Sequence, residues 1–415
     1  MQVVVIGGGV VGVSTAYFLA DAGHEVVLIE RRGNVAEQSS FGNAGIVAPA
    51  YAVPWAVPGI PRKFLSYLFK GEAPVQLKPR LEPALWRWIG QWVAECNQPR
   101  FHINQQRMQR LALYSRDVLH RLREREYLDY EQTSGFLQLF RTERDLALAQ
   151  PLLQIALDNG MPHNVVDAEA ARAIEPALCA DTALAGGLHF ADHETGNCSL
   201  FTKQLKQAAQ AKGVTFHFGA EVKAISARER RVSLHVEDKE FAADAVVVAA
   251  GVESAQLLAP LGIQVPLYPV KGYSATVGIK DYEQSPQAAI VDEAYKVAIT
   301  RMGNRIRIAG LAEFGSRTTD LREAALRTLI KVGEDWFPNA ANYGNAQFWC
   351  GTRPMLPDGP PLIGATPVKN VYVNIGHGPT GWAMAAGSAK LLADIVSGAA
   401  PEIDTEGLSL TRYIH

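Results

Sequence analysis

Apolar runs broken by glycine-rich turns set the pattern at the start of the chain. Val3 to Ile6 is an apolar, mostly β-branched run, which predicts a parallel strand buried on both faces. The apolar stretch from Val10 to Ala22 predicts a helix that Gly23 can end as a C-cap. Glu25 to Glu30 then predicts a second strand. The order strand, turn, helix, strand indicates an α/β fold.

The turn before this helix carries Gly7, Gly9 and Gly12 in the spacing GxGxxG. The first glycine allows a tight turn, the second lets the backbone approach a pyrophosphate, and the third lets helix and strand pack closely. The helix N-terminus offers free N–H groups to the phosphates. Glu30 follows Gly12 by eighteen residues, so its carboxylate can accept both ribose hydroxyls and would repel a 2′-phosphate. The sequence therefore predicts a bound dinucleotide and argues against NADP.

Two further strands that end in glycine lie in the second half of the chain. Residues 245–251 form one, and residues 219–225 just before them could present a backbone edge to adenine. Residues 371–375 form the other, followed by the glycine-rich turn 376–381 and an apolar helix over about 382–397. A helix that starts in this way can point its positive end at a developing anion, such as the N1/C2=O edge of a reduced flavin.

A polar segment of small residues, 38–45, follows Glu30, Arg31 and Arg32. Small side chains and backbone donors suit a chain that lies against a pyrophosphate and the edge of a flavin. An ordinary surface loop is the alternative for this segment taken alone.

Charge and composition narrow the function classes. The 415 residues carry 40 Lys and Arg against 42 Asp and Glu, a net charge of -2, so no global basic field would gather nucleic acid. Hydrophobic residues make up 48% and charged residues 20% of the chain, enough apolar material for a large core in two joined domains. The balance argues against a nucleic-acid-binding protein.

The cysteines and the apolar start point to an intracellular protein. The four cysteines are scattered without zinc spacing, which favours free thiols in a reducing compartment and no metal site. The apolar start lacks the basic region of a signal peptide. The charge-free stretch 38–61 contains four prolines, so it does not predict a membrane-spanning helix.

These motifs together resemble a known family. The ordered set is GxGxxG with Glu30, Ser-Ser-x-x-Asn-Ala-Gly at 39–45, Val-Val-Val-Ala-Ala-Gly at 246–251, Arg-Pro-x-x-Pro-Asp-Gly-x-Pro-x-x-Gly at 353–364 and Gly-His-Gly at 376–378. It resembles the FAD-dependent amine and amino-acid oxidoreductases related to D-amino-acid and glycine oxidases. Tyr-x-x-Pro-Trp at 51–55, Pro-x-Lys-Gly-Tyr-Ser at 269–274 and Gly-His-Gly-x-x-Gly-Trp at 376–382 are closer to the D-amino-acid dehydrogenase branch of that family.

The resemblance implies a Rossmann-like FAD-binding domain interleaved with a mainly antiparallel β substrate domain. On this basis residues 1–75, 150–262 and 350–415 are expected to form the FAD-binding domain. Residues 76–149, with their helical periods, and residues 263–349, which alternate as strands do, are expected to form the substrate domain.

The resemblance also implies FAD as the cofactor and indicates which residues hold it. The expected contacts are Gly7, Gly9, Val11, Gly12, Glu30, Arg31, Ser39, Ser40, Asn43, Ala44, Gly45, Val47, Val222, Ala250, Gly251, Gly376, Gly378, Thr380 and Gly381.

A proline-rich turn fixes Arg353, which we expect to bind the carboxylate of the substrate because a guanidinium is a planar, bidentate partner. A structural salt bridge is the alternative. Some relatives place a second arginine near the last glycine-rich turn, where this chain has Pro379 and Thr380. Tyr273 or Tyr295 could then make the second contact, and a core position is equally open for both. His377 is expected to be a neighbour of the flavin or part of the turn rather than a general base.

The resemblance implies oxidation of a D-amino acid by hydride transfer from Cα to flavin N5, followed by hydrolysis of the imine to a 2-oxo acid and ammonia. Thr380 and Gly381 would stabilise the reduced flavin. Electrons would pass to a quinone or dye; a D-proline or hydroxy-D-proline dehydrogenase and a hydrogen-peroxide-producing oxidase are the alternatives. We expect a cytoplasmic protein. Residues 58–70 are basic and apolar at helical spacing, so they could lie on an anionic membrane, or instead form a lid over the site.

Overall fold

The computed structural model describes residues 1–62, 73–78, 81–158, 160–227, 231–316 and 318–413. Its helices are α1 (Val10–Asp21), α2 (Pro83–Glu95), α3 (Gln98–Glu126), α4 (Glu143–Asp158), α5 (Ala168–Ile174), α6 (Cys198–Ala211), α7 (Ser254–Leu258), α8 (Glu323–Trp336) and α9 (Gly381–Ser397).

The strands divide between two large sheets and one small one. In chain order they are β1 (Gln2–Ile6), β2 (Glu25–Glu30), β3 (Ile46–Val47), β4 (Val75–Leu77), β5 (Thr133–Phe140), β6 (Asn164–Asp167), β7 (Gly186–Thr195), β8 (Thr215–Phe218), β9 (Val222–Ala227), β10 (Val232–Val236), β11 (Lys239–Ala243), β12 (Ala245–Val248), β13 (Tyr268–Gly278), β14 (Ala289–Asp292), β15 (Val297–Met302), β16 (Arg305–Phe314), β17 (Gln347–Met355), β18 (Leu362–Ala365) and β19 (Val371–Ile375).

The first sheet has the strand order β18-β19-β12-β1-β2-β8, and all its neighbours run parallel except β18. Val3 and Val5 of β1 pack into a core with α1, α3, α6 and α9, while Val4 and Ile6 pack on the other face against the small sheet β11-β10-β9. Burial on both faces explains why β1 is an uninterrupted apolar run. The carboxyl ends of β1, β2, β12 and β19 meet at one edge, where open α/β sheets bind their ligands.

The second sheet has the order β17-β13-β16-β15-β14-β5-β7-β3 and is mainly antiparallel, with β4 and β6 paired at its side. Helix α8 covers one face, where Leu329 and Trp336 pack with Ile299 and Ile308. The other face carries Ala298 and packs against the chain that follows β3. Side chains along each strand therefore point alternately toward α8 and toward the first sheet.

The fold class is confirmed, but strand membership differs from the expected domain bounds in several places. β6 and β7, within 150–262, and β3, within 1–75, belong to the second sheet. β17 extends that sheet to Met355, and α3 packs into the core of the first sheet. Local patterning shows that a segment is a strand or helix but not which sheet it joins, so the domain bounds stay a prediction.

The described residues include neither a membrane-spanning helix nor a cluster of metal ligands. Among the described residues no helix is long and apolar enough to cross a membrane. The basic apolar segment 58–70 lies mostly outside the described residues, beyond residue 62. Within the same described ranges, no three His, Cys, Asp or Glu side chains are grouped to hold a metal ion.

Candidate active site

The turn between β1 and α1 needs its glycines because the backbone of β12 and the turn itself come very close. A Cβ on Gly7, whose φ is +112°, would lie 2.5 Å from the carbonyl oxygen of Ala249. A Cβ on Gly12 would lie 1.9 Å from the carbonyl oxygen of Gly7. Gly9 precedes α1 without a capping side chain, and the first turn of α1, which contains Val11, holds no acidic residue. This helix start can therefore receive an anion on its free N–H groups.

The carboxylate of Glu30 lies against the same turn. Its Oε2 accepts a hydrogen bond from Gly8 N at 2.6 Å, and its Oε1 accepts one from Arg32 N at 2.7 Å. The backbone N–H of Ala220 donates to the Glu30 carbonyl, which brings the start of β9 at Val222 beside the end of β2. A ribose bound at the end of β2 would contact Glu30, and the attached adenine would contact the backbone just before β9.

Arg31 is tied to two acids rather than left open. It forms an ion pair with Glu253 and lies 3.8 Å from Glu221. Glu253 belongs to the short helical turn that begins at Gly251, directly after Ala250. Arg31 thus joins the end of β2 to the segment after β12, and its predicted contact with the cofactor stays a prediction.

The polar segment 38–45 connects the first sheet to the second. Ser40 Oγ accepts from Val10 N at 3.0 Å, at the start of α1, and Ser39 Oγ donates to the carbonyl of Thr352 at 2.6 Å. Asn43 Oδ1 accepts from Gly45 N at 2.8 Å, on either side of Ala44. Val47 then pairs with β7. The segment 38–45 therefore spans from the phosphate-binding turn to the strand that carries Arg353.

Gly45 and the last glycine-rich turn show the same close packing. A Cβ on Gly45 would lie 2.6 Å from the carbonyl oxygen of Gly196. Gly376 and Gly378 adopt φ values of +83° and +58°, and a Cβ on Gly376 would lie 2.3 Å from Leu356. Side chains at these positions would push the turns away from the sheet edge.

The start of α9 completes the edge. Thr380 precedes Gly381, the first residue of α9, and makes no capping hydrogen bond. Its Oγ1 is buried without a partner among the described residues. A buried hydroxyl without a partner is costly, so this orphan favours a ligand atom at this place. Together with the glycine-rich turns before α1 and α9 and with Glu30, this hydroxyl makes the carboxyl edge of the first sheet fit FAD.

His377 is buried beside this turn and bonds through Nε2 to Ser388 Oγ at 3.0 Å. Burial lowers the pKa of His377 to about 3, so the imidazole is neutral at pH 7. Its contact with Ser388 packs the turn against α9, and the expectation that it is not a general base stays a prediction.

Arg353 lies on β17, where it is partly buried and close to the last glycine-rich turn, since Met355 bridges to His377. Its Nη1 donates to the carbonyl of Leu311 at 2.6 Å and its Nη2 to that of Gly310 at 3.3 Å. Its partners in the described residues include no carboxylate. Burial lowers the pKa of Arg353 to about 10, which leaves the guanidinium charged at pH 7. The alternative, a structural salt bridge, is therefore not seen among the described residues, and the cation is available to an anionic ligand.

Two aromatic side chains that were not predicted as site residues lie near Arg353, and one of them also approaches an acid. The guanidinium carbon is 5.9 Å from the centre of the Trp55 ring. Tyr51 interacts electrostatically with Arg353, and burial raises its pKa well above the usual value. Tyr51 Oη lies 3.5 Å from Glu293 Oε1, at the outer limit of a hydrogen bond. The Tyr-x-x-Pro-Trp motif was the sequence signal for Tyr51 and Trp55; for Glu293 there was none.

The structure does not bring Tyr273 to Arg353, which corrects the expectation of a carboxylate contact. The Tyr273 hydroxyl donates to Glu313 Oε2 at 2.8 Å, inside the core under α8. A Cβ on the neighbouring Gly272 would lie 2.4 Å from the Arg353 guanidinium, so alternation along β13 turns Tyr273 to the opposite face.

Tyr295 is likewise placed away from Arg353. Its ring lies 5.0 Å from the Arg141 guanidinium carbon and 5.1 Å from Lys331 Nζ, which belongs to α8. It follows β14, four strands from β17 in the sheet order. Both tyrosines therefore have structural surroundings, and the second contact to a substrate carboxylate falls to other residues.

Comparisons with known proteins place this geometry in context. A family model described as "FAD dependent oxidoreductase" (DAO) matches residues 2–395. A protein of Azorhizobium caulinodans named D-amino acid dehydrogenase is 45% identical, with 100% of both chains covered. A protein of the same name from Allorhizobium ampelinum is 47% identical, covering 100% of this chain and 99% of the relative.

Solved structures share the fold. Glycine oxidase from Geobacillus kaustophilus superposes with a TM-score of 0.76 at 22% identity, covering 100% of both chains. L-proline dehydrogenase from P. horikoshii superposes with a TM-score of 0.77 at 17% identity, covering 99% of this chain and 97% of the other. At these identities the likeness shows a common fold.

Proposed function

The chain belongs to the FAD dependent oxidoreductase (DAO) family, and on that premise we propose that it is a D-amino acid dehydrogenase. It is an enzyme with FAD as its cofactor. The proposed reaction converts D-amino acids to 2-oxo acids and ammonia and passes the electrons to a quinone or dye. Relatives that are 45% and 47% identical over the full chain and carry that name support the substrate class and its handedness.

The structural observation that carries the proposal is Arg353. Its two hydrogen bonds to backbone carbonyls hold the guanidinium in place and leave other N–H groups for a ligand. A buried cation without an acidic partner gains most from an anionic ligand, and a carboxylate matches the guanidinium fork. Arg353 thus sets the position and orientation of an amino acid by its carboxylate.

Tyr51 acts beside Arg353 in this proposal. The hydroxyl is protonated at neutral pH, since its pKa lies even above the ordinary value of a phenol, so its one proton can turn from Glu293 and donate a hydrogen bond to the carboxylate. Trp55 closes one side of the guanidinium. Together these side chains exclude water and hold the Cα–H in one direction, and such positioning supplies much of the rate enhancement in this kind of reaction.

The residues at the edge of the first sheet would hold the cofactor. The first turn of α1 would bind the diphosphate, Glu30 the ribose, and Thr380 with the start of α9 the flavin end. When bound, FAD supplies the two-electron oxidant for the Cα–H bond, while the protein supplies orientation and electrostatics.

The acceptor and the membrane contact are finer parts of the proposal. The word dehydrogenase in the names of the relatives supports a quinone or dye rather than oxygen. The basic and apolar sequence of residues 58–70 supports peripheral contact with an anionic membrane. Replacing Arg62, Lys63 and Lys70 by Gln should weaken co-sedimentation with anionic liposomes, and unchanged co-sedimentation would remove this part of the proposal.

Turnover with paired enantiomers tests the function. D-alanine should reduce an artificial dye in a steady-state assay, L-alanine should do so much more slowly, and hydrogen peroxide should stay near background in air. Equal rates with both enantiomers would contradict the substrate assignment. Stoichiometric hydrogen peroxide would make the protein an oxidase.

A further inference from the structure

Arg307 is a buried arginine on the same sheet as the partly buried Arg353. It lies in β16 and is 7% exposed. Its neighbours Ile306 and Ile308 point into the core under α8, so alternation along the strand turns Arg307 toward the first sheet. Arg307 pairs across the strands with Thr300, whose Oγ1 is also buried without a partner among the described residues.

The guanidinium of Arg307 hydrogen-bonds the segment 38–45, which runs along the edge of the first sheet where FAD would bind. Nη1 donates to the carbonyl of Phe41 at 2.8 Å and approaches that of Asn43 at 3.5 Å. The guanidinium carbon lies 5.7 Å from the centre of the Phe41 ring. The Nε of Arg307 is buried and has no hydrogen-bond partner in the described residues. One N–H of a buried cation therefore lacks an acceptor.

The charge of Arg307 is not balanced by the described residues. No acid forms an ion pair with it there, and the positive charge of Arg305 adds to the unfavourable field. Burial lowers the pKa of Arg307 to about 10, so it stays charged at pH 7. By contrast, the partly buried Arg141 is paired with Asp292 and Asp335. An unpaired buried cation is expensive and persists where a ligand compensates it.

The position of Arg307 relative to Arg353 indicates which ligand group compensates it. Arg353 bonds the carbonyl of Leu311, four residues from Arg307 and so about 13 Å farther along the same strand. The diphosphate end of the site lies at α1, beyond Ser40. The ring system of FAD has to lie between the diphosphate and the substrate at Arg353, and this is the region that Arg307 borders.

We propose that Arg307 is a positioning residue of the FAD site, which holds the Phe41–Asn43 backbone and supplies a buried positive charge that offsets the negative charge gained by the flavin on reduction. This role depends on FAD binding and not on which amino acid is oxidised. It predicts that Arg307 raises the reduction potential of the bound flavin.

Anaerobic reductive titration against a reference dye tests the proposal without any amino acid. The variants are Arg307→Gln, which removes the charge, and Arg307→Lys, which keeps it but loses the fork. Arg305→Gln is the matched control, because Arg305 lies on the same strand, is 42% exposed and pairs with Glu131. Arg307→Met provides a second neutral variant if Arg307→Gln does not fold.

The neutral variants should bind FAD and lower the equilibrium constant for its reduction at least tenfold, a potential about 30 mV more negative. Arg307→Lys should retain most of the wild-type value and Arg305→Gln all of it. An unchanged potential in a neutral variant with bound FAD would overturn the proposal. Equal shifts in Arg307→Lys and Arg307→Gln would assign the effect to the backbone contacts and likewise overturn the role of the charge.

Discussion

Replacing Arg353 by Met should remove the anchor for the substrate carboxylate while leaving FAD bound. The guanidinium is held by the carbonyls of Gly310 and Leu311 and has no acidic partner in the described part of the chain, so the change leaves no acid unpaired. Replacing such a cation by an apolar side chain is usually tolerated by the fold. The loss should therefore fall on substrate binding and orientation.

The size of the loss follows from the buried ion pair that the substrate would make. Removing one partner of a buried, hydrogen-bonded charge pair costs about 2–5 kcal/mol. At 1.36 kcal/mol for each factor of ten, kcat/KM for D-alanine should fall roughly 30- to 5000-fold. Arg353→Lys keeps the charge but not the planar fork, so it should lie between wild type and Arg353→Met.

Dye-coupled turnover, with the FAD content of each variant measured by absorbance, checks this prediction. KM should rise and kcat should fall, because the carboxylate also orients the Cα–H bond. Arg305→Met is the control for loss of an arginine elsewhere in the second sheet, and its kinetics should match wild type. Undiminished kcat/KM in Arg353→Met with full FAD would refute the assigned role.

Three further predictions concern other positions. Gly272→Ala should raise KM at least tenfold, because the new Cβ would lie 2.4 Å from the Arg353 guanidinium and displace it. Gly278→Ala on the same strand has open space around its Cβ and should leave KM unchanged, so equal KM values for the two variants would contradict the geometry. Tyr51→Phe should lower kcat/KM about tenfold for the loss of one hydrogen bond to a charged group, while Tyr273→Phe should lower the melting temperature without changing KM; the reverse pattern would restore Tyr273 to the site. Burial raises the pKa of Glu175 from 4.5 to about 7, so between these pH values the folded state holds a proton that the unfolded state releases. The contribution of Glu175 to the free energy of unfolding therefore falls, by up to about 1.4 kcal/mol per pH unit, as the pH rises from 4.5 to about 7. Glu175→Gln should therefore raise the melting temperature relative to wild type at pH 8 but not at pH 4.5, and an equal difference at both pH values would contradict it.

The cofactor edge could be read from the sequence because its features are local. Gly12 meets the carbonyl of Gly7 within one strand–turn–helix unit, and Glu30 ends the next strand. The close approach of Gly7 to Ala249, by contrast, joins distant segments. Arg353 could be proposed as a site residue for a similar reason, since its proline-rich motif is contiguous. Such motifs carry their geometry with them wherever the rest of the chain folds.

The substrate side depends on contacts between distant segments and was predicted less well. Tyr51 meets Glu293 across 242 residues, and no local pattern joins them. For Tyr273 a substrate contact and a core position both stayed open, because the sequence does not reveal which alternating set of β13 faces the cofactor. The burial of Arg307 could not be predicted either. Arg305 and Arg307 are two residues apart on the same strand and share a face, yet Arg305 is partly exposed, so the local pattern does not distinguish them.

Anaerobic mixing of the purified, FAD-bound protein with D-alanine tests the central claim most directly, with L-alanine as the matched control. The account predicts that the absorbance of the oxidised flavin near 450 nm is bleached by the D-enantiomer, much more slowly by the L-enantiomer, and only weakly in Arg353→Met. Bleaching by D-alanine that is as fast in Arg353→Met as in wild type, or absent in both, would contradict it.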